Sequence, residues 1–166
     1  MPHGGARAAL VVAEDARFAR ITGEYVAPVD QVSAYRPGHF YERELPAVQV
    51  VLAGRVPGLL VIDGYVDLDP QGRPGLGAHA HAVFGVPVIG VAKTAFATAT
   101  HAVAVRRGAA TRPLYVTAAG LDLDLAADLV AGMAGPFRLP DALRRVDALA
   151  RGHTVPSHSR AAHPTS

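Results

Sequence analysis

Two apolar runs each end in a single ionisable group: Leu59-Leu60-Val61-Ile62-Asp63-Gly64 and Pro87-Val88-Ile89-Gly90-Val91-Ala92-Lys93. Runs this apolar have no solvated face, which fits central parallel strands covered by helices on both sides. In open α/β sheets chemistry gathers at the carboxyl edge of such strands, where Asp63 and Lys93 fall. Lys93 is the only lysine among 16 basic residues, the other 15 being arginine. A compact ammonium and a planar guanidinium do different work, so a sole lysine at a strand end marks a candidate site.

Two further carboxylates stand where their surroundings set them apart. Glu44 falls in the first turn of a helix predicted over about 43–53, where the helix dipole also favours a negative charge. Asp147 falls on the last predicted helix, one turn beyond Leu143 and beside Val146, partly turned toward the sheet. Singly, each such residue is more often structural than catalytic. Together they matter because a hard divalent cation such as Mg²⁺ needs carboxylates converging from different elements.

The elements that must position these groups follow from periodicity and breakers. Residues 8–13 and 18–26 read as a hairpin across a turn at 14–17, followed by a proline-containing polar loop over 28–38. The helix over 43–53 turns Ala47, Val48, Val51 and Leu52 inward and stops at Gly54. Strand 59–63, a loop over 64–75, a short helix over 76–85 and strand 87–92 make a β-α-β unit with an expected right-handed crossover. Residues 102–105 and 114–117 form a second antiparallel pair. Asp122 caps a helix running to about 134, with Leu125, Leu129 and Val130 as its apolar face, broken by Gly135-Pro136. A final helix spans about 140–150, with Pro140 in its first turn and Leu143, Val146 and Leu149 as its stripe. Residues 1–150 thus form one domain, and 151–166, with three histidines scattered among serine, proline and threonine, read as a disordered tail.

Composition excludes several classes. Half of the 166 residues are apolar and the formal charge is only +2, so charge alone indicates no polyanionic partner. The pairs Arg106-Arg107 and Arg144-Arg145 read as solvated surface. Without cysteine there is no disulfide, no apolar run approaches the roughly 18–20 residues of a membrane span, and the N-terminus lacks an apolar signal core. The expectation is a cytoplasmic protein. Neither a Gly-x-Ser-x-Gly elbow nor a Gly-rich phosphate loop is present, which ranks a small-molecule hydrolase last.

Four ordered segments over about residues 8–150 resemble the endonuclease V family: Tyr35-Arg36-Pro37-Gly38 with Arg43-Glu44, the strand Leu59 to Gly64, the helix and strand from Leu76 to Lys93, and the pair Pro113 to Thr117 and Phe137 to Asp147. The resemblance implies an α/β, ribonuclease H-like mixed sheet with helices on both faces, N-terminally shortened. It also implies hydrolysis of a phosphodiester near a deaminated base (inosine) in DNA or RNA, with Mg²⁺ or Mn²⁺ as cofactor and nucleic acid as partner. Carried position by position, Glu44, Asp63 and Asp147 become metal ligands, and Glu44 and Asp63 with Lys93 the catalytic set, Lys93 lying beside the scissile phosphate. Tyr35 and Pro37 become part of a wedge at the lesion, with Gly38 allowing close approach, and Gly64 part of the pocket for a flipped base.

The family's first strand, which carries a metal-binding aspartate, has no counterpart here, because residues 8–27 correspond to its second and third strands. A start placed downstream of that strand is preferred over true loss, since a missing central strand exposes apolar edges. After Asp63-Gly64, the segment Tyr65 to Pro70 departs from the family pattern, with Asp69 where a histidine is usual. A noncatalytic nucleic-acid-binding relative of the same fold is the alternative reading.

Overall fold

In the computed structural model, which describes residues 6–29 and 41–152, the elements run β1 (Ala6–Ala13), β2 (Ile21–Val29), α1 (Tyr41–Leu52), β3 (Leu60–Asp63), α2 (Leu76–Phe84), β4 (Val88–Ala92), β5 (Val103–Val105), β6 (Leu114–Ala119), α3 (Leu123–Ala131) and α4 (Asp141–Ala150). β1 and β2 form an antiparallel two-stranded sheet. The other strands form a second sheet in the order β3-β4-β6-β5, with β3 and β4 parallel and the remaining pairs antiparallel.

β4 is the strand on which the larger sheet is built, and all five of its residues are buried. Its alternation divides the core. Ile89 and Val91 join Leu114, Val116, Ala126, Val130, Met133 and Leu143 on the α3 and α4 face. Val88 joins Leu60, Ile62, Val66 and Ala80 on the opposite face, against which Leu45 and Val48 of α1 and Leu76 of α2 pack. Helices therefore cover both faces, as a strand with no polar side requires.

Several local expectations are corrected. β2 starts at Ile21 rather than Phe18, because the Asp15 carboxylate accepts from the backbone N–H of Arg17 (3.0 Å), Ala19 (3.3 Å) and Arg20 (3.2 Å). A side chain that satisfies three amides holds a loop in place of a ladder, and Phe18 sits in it at φ 53°. β3 is not central: among the described residues it pairs only with β4, and its burial alternates accordingly. Asp122 does cap α3, accepting from the Leu125 N–H at 3.1 Å. Yet α3 ends at Ala131, and its inward face is Ala126, Ala127 and Val130, with Leu125 half exposed.

Arg106 and Arg144 are exposed, as expected of the arginine pairs, but the second member of each pair is not plain surface. Arg107 is 5% exposed and donates to the carbonyls of Phe137 (2.6 Å), Met133 (2.5 Å), Gly135 (2.9 Å) and Arg138 (3.3 Å). It ties the segment after α3 to the end of β5. Arg145 grips Glu24 with two nitrogens and ties α4 to β2. Among the described residues no helix is long and apolar enough to cross a membrane.

One close approach fixes the β3 exit. A Cβ on Gly90 would stand 2.5 Å from the Gly64 carbonyl oxygen, 2.7 Å from Thr117 Oγ1 and 2.9 Å from the Val66 nitrogen, and the Val66 N–H donates to Thr117 Oγ1 at 2.8 Å. Two of those three neighbours are backbone and cannot swing aside. Gly90→Ala is expected to lower stability by about 1–3 kcal/mol through overpacking, read as a reduced urea midpoint with unchanged slope. Thr117→Val, which strands the buried Val66 N–H, is expected to cost a similar ~1–3 kcal/mol.

Candidate active site

Alternation explains which charges meet. Leu60 and Ile62 face α1 and α2, so Val61 and Asp63 face the other side, toward α4. Asp63 pairs in register with Val91, which faces the same way, and Lys93 lies two residues beyond Val91. Asp147 projects from α4 onto that face. The Lys93 Nζ accordingly donates to Asp147 Oδ2 at 2.9 Å and stands 3.3 Å from Asp63 Oδ2.

The cluster is partly sheltered, the side chains of Asp147, Lys93 and Asp63 being 27%, 33% and 45% exposed. Burial opposes the charge on Lys93, but its hydrogen bond to Asp147 and the charges of Asp63 and Asp147 outweigh burial and hold its pKa above the ordinary lysine value. Lys93 is thus a fixed cation between two carboxylates. Arg151 adds a second positive group, its Nη2 lying 3.6 Å from Asp147 Oδ2, so this residue belongs to the folded body although the sequence assigns it to the tail. Residues 153–166 lie outside the described residues.

The backbone of Lys93 is also held. Arg138 donates through Nη2 to the Lys93 carbonyl and, at 2.9 Å, to that of Pro113, and through Nε to the Arg112 carbonyl at 3.1 Å. Sequence reasoning placed Arg138 inside a motif segment but gave it no role. A guanidinium can splay its donors over several carbonyls at once, and here it pins the exit of β4 to the entry of β6.

A cleft of about 990 Å³ opens at the carboxyl edge of β3, lined by Glu44, Asp63, Gly64, Tyr65, Leu68 and Phe96 among others. Asp63 is shared between this cleft and the Lys93 cluster. Gly64, at φ 138°, takes a backbone conformation that side-chain-bearing residues rarely adopt, and a Cβ there would meet only open space. Its glycine is therefore a backbone requirement, and one that leaves the cleft wall bare. Tyr65 fastens the opposite wall: its hydroxyl donates to the Thr94 carbonyl at 2.7 Å and accepts from the Phe96 N–H at 3.0 Å, with the two rings 5.9 Å apart. These aromatic walls had no separate signal in the sequence, since they pair across 31 residues.

Asp69, where the family pattern has histidine, accepts at Oδ1 from the N–H groups of Gln71 and Arg73, both at 3.0 Å. Its carboxylate is thus engaged in the turn. Glu44 reaches the cleft from α1, on the opposite face of the sheet from Asp147, and among the described residues no three His, Asp or Glu side chains come close enough together to enclose a metal ion. The donor chemistry nonetheless suits Mg²⁺, which is commonly bound by one or two carboxylates plus substrate phosphates and water. Tyr35, Pro37 and Gly38 lie outside the described residues.

With this geometry in hand, comparison with known proteins is decisive at the family level. The endonuclease V family model matches residues 2–163. Endonuclease V of Streptomyces avermitilis is 30% identical over 165 residues, covering 86% of this chain and 72% of the relative. That of Streptomyces coelicolor is 33% identical over 168 residues, covering 87% and 71%. The crystal structure of the S. avermitilis protein superposes with a TM-score of 0.67 at 26% identity, over 92% of this chain and 82% of that one. Endonuclease V of Ciona intestinalis, solved with a 23mer DNA containing an inosine followed by a ribo-adenosine, superposes with a TM-score of 0.73 over 91% and 79%. At 19% identity that likeness speaks for the fold alone, which is ribonuclease H-like α/β. The chain belongs to the endonuclease V family of phosphodiester-hydrolysing endonucleases.

Proposed function

We propose that this chain is a divalent-cation-dependent endonuclease that hydrolyses a phosphodiester near a deaminated base, inosine, in DNA or RNA. The observation that carries the reading is Asp63, shared between the Lys93–Asp147 cluster and the cleft that Glu44 and Gly64 also line. The inosine-containing DNA in the Ciona intestinalis structure supports the choice of substrate.

Asp63 and Asp147 would hold Mg²⁺ (or Mn²⁺), with Glu44 contributing from the far side of the cleft. Bound there, the cation would supply Lewis acidity toward a phosphate oxygen and a more acidic water. The chain's own part is placement and charge. Lys93 presents a fixed ammonium where negative charge grows on a pentacoordinate phosphorus, and pre-placed charge of this kind costs no reorganisation at the moment of reaction. Gly64 leaves room beside Asp63 for a flipped base, with Tyr65 and Phe96 as the facing wall. Tyr35 and Pro37 are assigned to the wedge that separates the strands at the lesion, with Gly38 allowing close approach.

A second reading, a noncatalytic nucleic-acid-binding relative, is favoured by one observation: no third carboxylate joins Asp63 and Asp147 among the described residues. The two readings separate in a single assay, in which labelled inosine-containing DNA and RNA are incubated with Mg²⁺ or Mn²⁺. The enzyme reading expects cleavage that chelation stops and that Asp63→Ala abolishes. Binding without cleavage under every condition would establish the second reading instead. Lys93→Ala is expected to lower kcat by about 10²–10³-fold while substrate binding persists, and Lys93→Arg is not expected to restore it, because the larger planar guanidinium spreads its charge and cannot place it at the point that the compact ammonium occupies. Arg138→Lys, which retains charge but cannot span three carbonyls, is expected to lower kcat more than it raises KM.

A further inference from the structure

One flank of α4 carries its charge at a regular spacing. Ala142 and Leu143 turn into the core, and a rotation of about 100° per residue then sets Arg144, Asp147 and Arg151 together on one side of the buried stripe and Arg145 on the other. The contacts agree. Arg145 reaches back to Glu24 of β2, whereas Asp147 meets Lys93 at the carboxyl edge of the larger sheet. At a rise of about 1.5 Å per residue, Arg144 stands ~4.5 Å before Asp147 along the helix axis and Arg151 ~6 Å beyond it. The carboxylate that receives Lys93 is thus bracketed by two arginines.

Neither arginine is spent on the fold. The Arg144 guanidinium lies over the Phe137 ring, 4.8 Å from its centroid, and among the described residues it has no carboxylate partner. The backbone of that perch is itself held, because the Phe137 carbonyl accepts from Arg107 at 2.6 Å. Stacking occupies one face of a guanidinium and leaves its N–H edge open, and Phe137 is exposed rather than part of the core. Arg151, with 65% of its side chain exposed, stands 3.6 Å from Asp147 Oδ2. A pairing that open contributes little to stability and yields readily to a competing anion. Charge points the same way: Asp63 and Asp147 are already balanced by Lys93 and Arg151, which leaves Arg144 an uncompensated cation.

We infer that α4 is a phosphate ruler, Arg144 and Arg151 gripping the backbone of one nucleic-acid strand on opposite sides of the phosphate that enters at Asp63, Lys93 and Asp147. The inference rests on the nuclease reading above for its substrate. Successive phosphates of a duplex strand advance about 3.4 Å along its axis. Offsets of ~4.5 and ~6 Å correspond to one or two phosphates in either direction, within reach of side chains as long as arginine. Contacts to phosphate fix register and orientation but carry no sequence information, so the ruler sets which bond meets the carboxylates, while the cleft receives the base. Guanidinium suits the task because its fork meets a phosphate with two parallel N–H donors.

The test measures binding without turnover. The full chain is titrated into a fluorescein-labelled duplex containing inosine, with divalent cations chelated, and anisotropy gives the affinity between about 50 and 200 mM salt. Arg144→Gln and Arg151→Gln are each expected to weaken binding by about three- to tenfold and to lower the slope of log affinity against log salt by about one. Arg144→Lys, which keeps the charge, is expected to keep the slope. Neutral methylphosphonates placed one at a time along the backbone then locate the contacts. The linkage whose neutralisation no longer matters in Arg144→Gln and the one that no longer matters in Arg151→Gln are expected to differ, to lie on the same strand and to be separated by at least one other phosphate. Both side chains are exposed, so both variants are expected to keep the wild-type melting temperature; should Arg144→Gln not fold, Arg144→Met, which keeps an apolar stem on Phe137, takes its place. An unchanged slope in either variant, coupling of both to one linkage or to different strands, or failure of the wild-type chain to bind the duplex would each overturn the ruler. The enzyme reading fails separately, by absence of cleavage in Mg²⁺ or Mn²⁺, since none of these readouts requires turnover.

Discussion

The site depends on a side chain that is absent. With no Cβ at Gly90, the turn leaving β3 settles onto the surface of β4, bringing the Gly64 carbonyl, the Val66 amide and the Thr117 hydroxyl to one buried point. That contact sets where β3 ends, and hence where Asp63 turns out toward Lys93. It also fixes Val66, against which α2 approaches closely enough that Gly77 could carry no side chain without meeting it. Core, cleft wall and charged cluster share this junction, which is why a single methyl there would be felt by all three.

Charge in this molecule is placed by strand parity. Residues of one parity on β3 and β4 face α4, and Asp63, Lys93 and Asp147 meet on that side; Glu44, carried by α1, belongs to the other. The carboxylates thus arrive at the carboxyl edge from both faces of the sheet, with Lys93 already neutralising two of them. Arginine does different work. Arg107 and Arg138 spend their donors on backbone carbonyls, seven in all, and so tie the irregular segment between α3 and α4 to the sheet. Lys93 stands inside the cluster with Arg151 at its rim, and the guanidinium groups of Arg107 and Arg138 shape what surrounds it.

Much of this was legible from residue order. Two unbroken apolar runs with terminal charges predicted β3, β4 and the location of Asp63 and Lys93, and the helix stripe predicted that Asp147 would turn inward. Parity, once the strands are granted, brings the three together. What could not be read depends on partners distant in sequence. Arg107 looked like surface because its carbonyl partners, from Met133 to Arg138, become acceptors only once the helix before them has ended. Leu125 looked buried because a helical stripe gives spacing but not which flank meets the sheet, and small alanines took that place. β3 read as central because its run is apolar, yet its open edge depends on what lies next to it.

The manner in which the β1–β2 hairpin is attached has a consequence for how the molecule breathes. Its two strands share a full ladder with each other, but they are joined to the rest by helix packing, a few side-chain bonds and the Phe18 ring against the core. A unit whose own ladder is complete, and which among the described residues no ladder joins to the rest, is a natural subglobal opening unit. Its excursions would uncover Val61 and the flank of Asp63 together. The amides of β4 and β6 would stay protected until global unfolding, while those of the hairpin exchange at a lower free energy, so the wall beside the charged cluster is the part of this fold that comes away first.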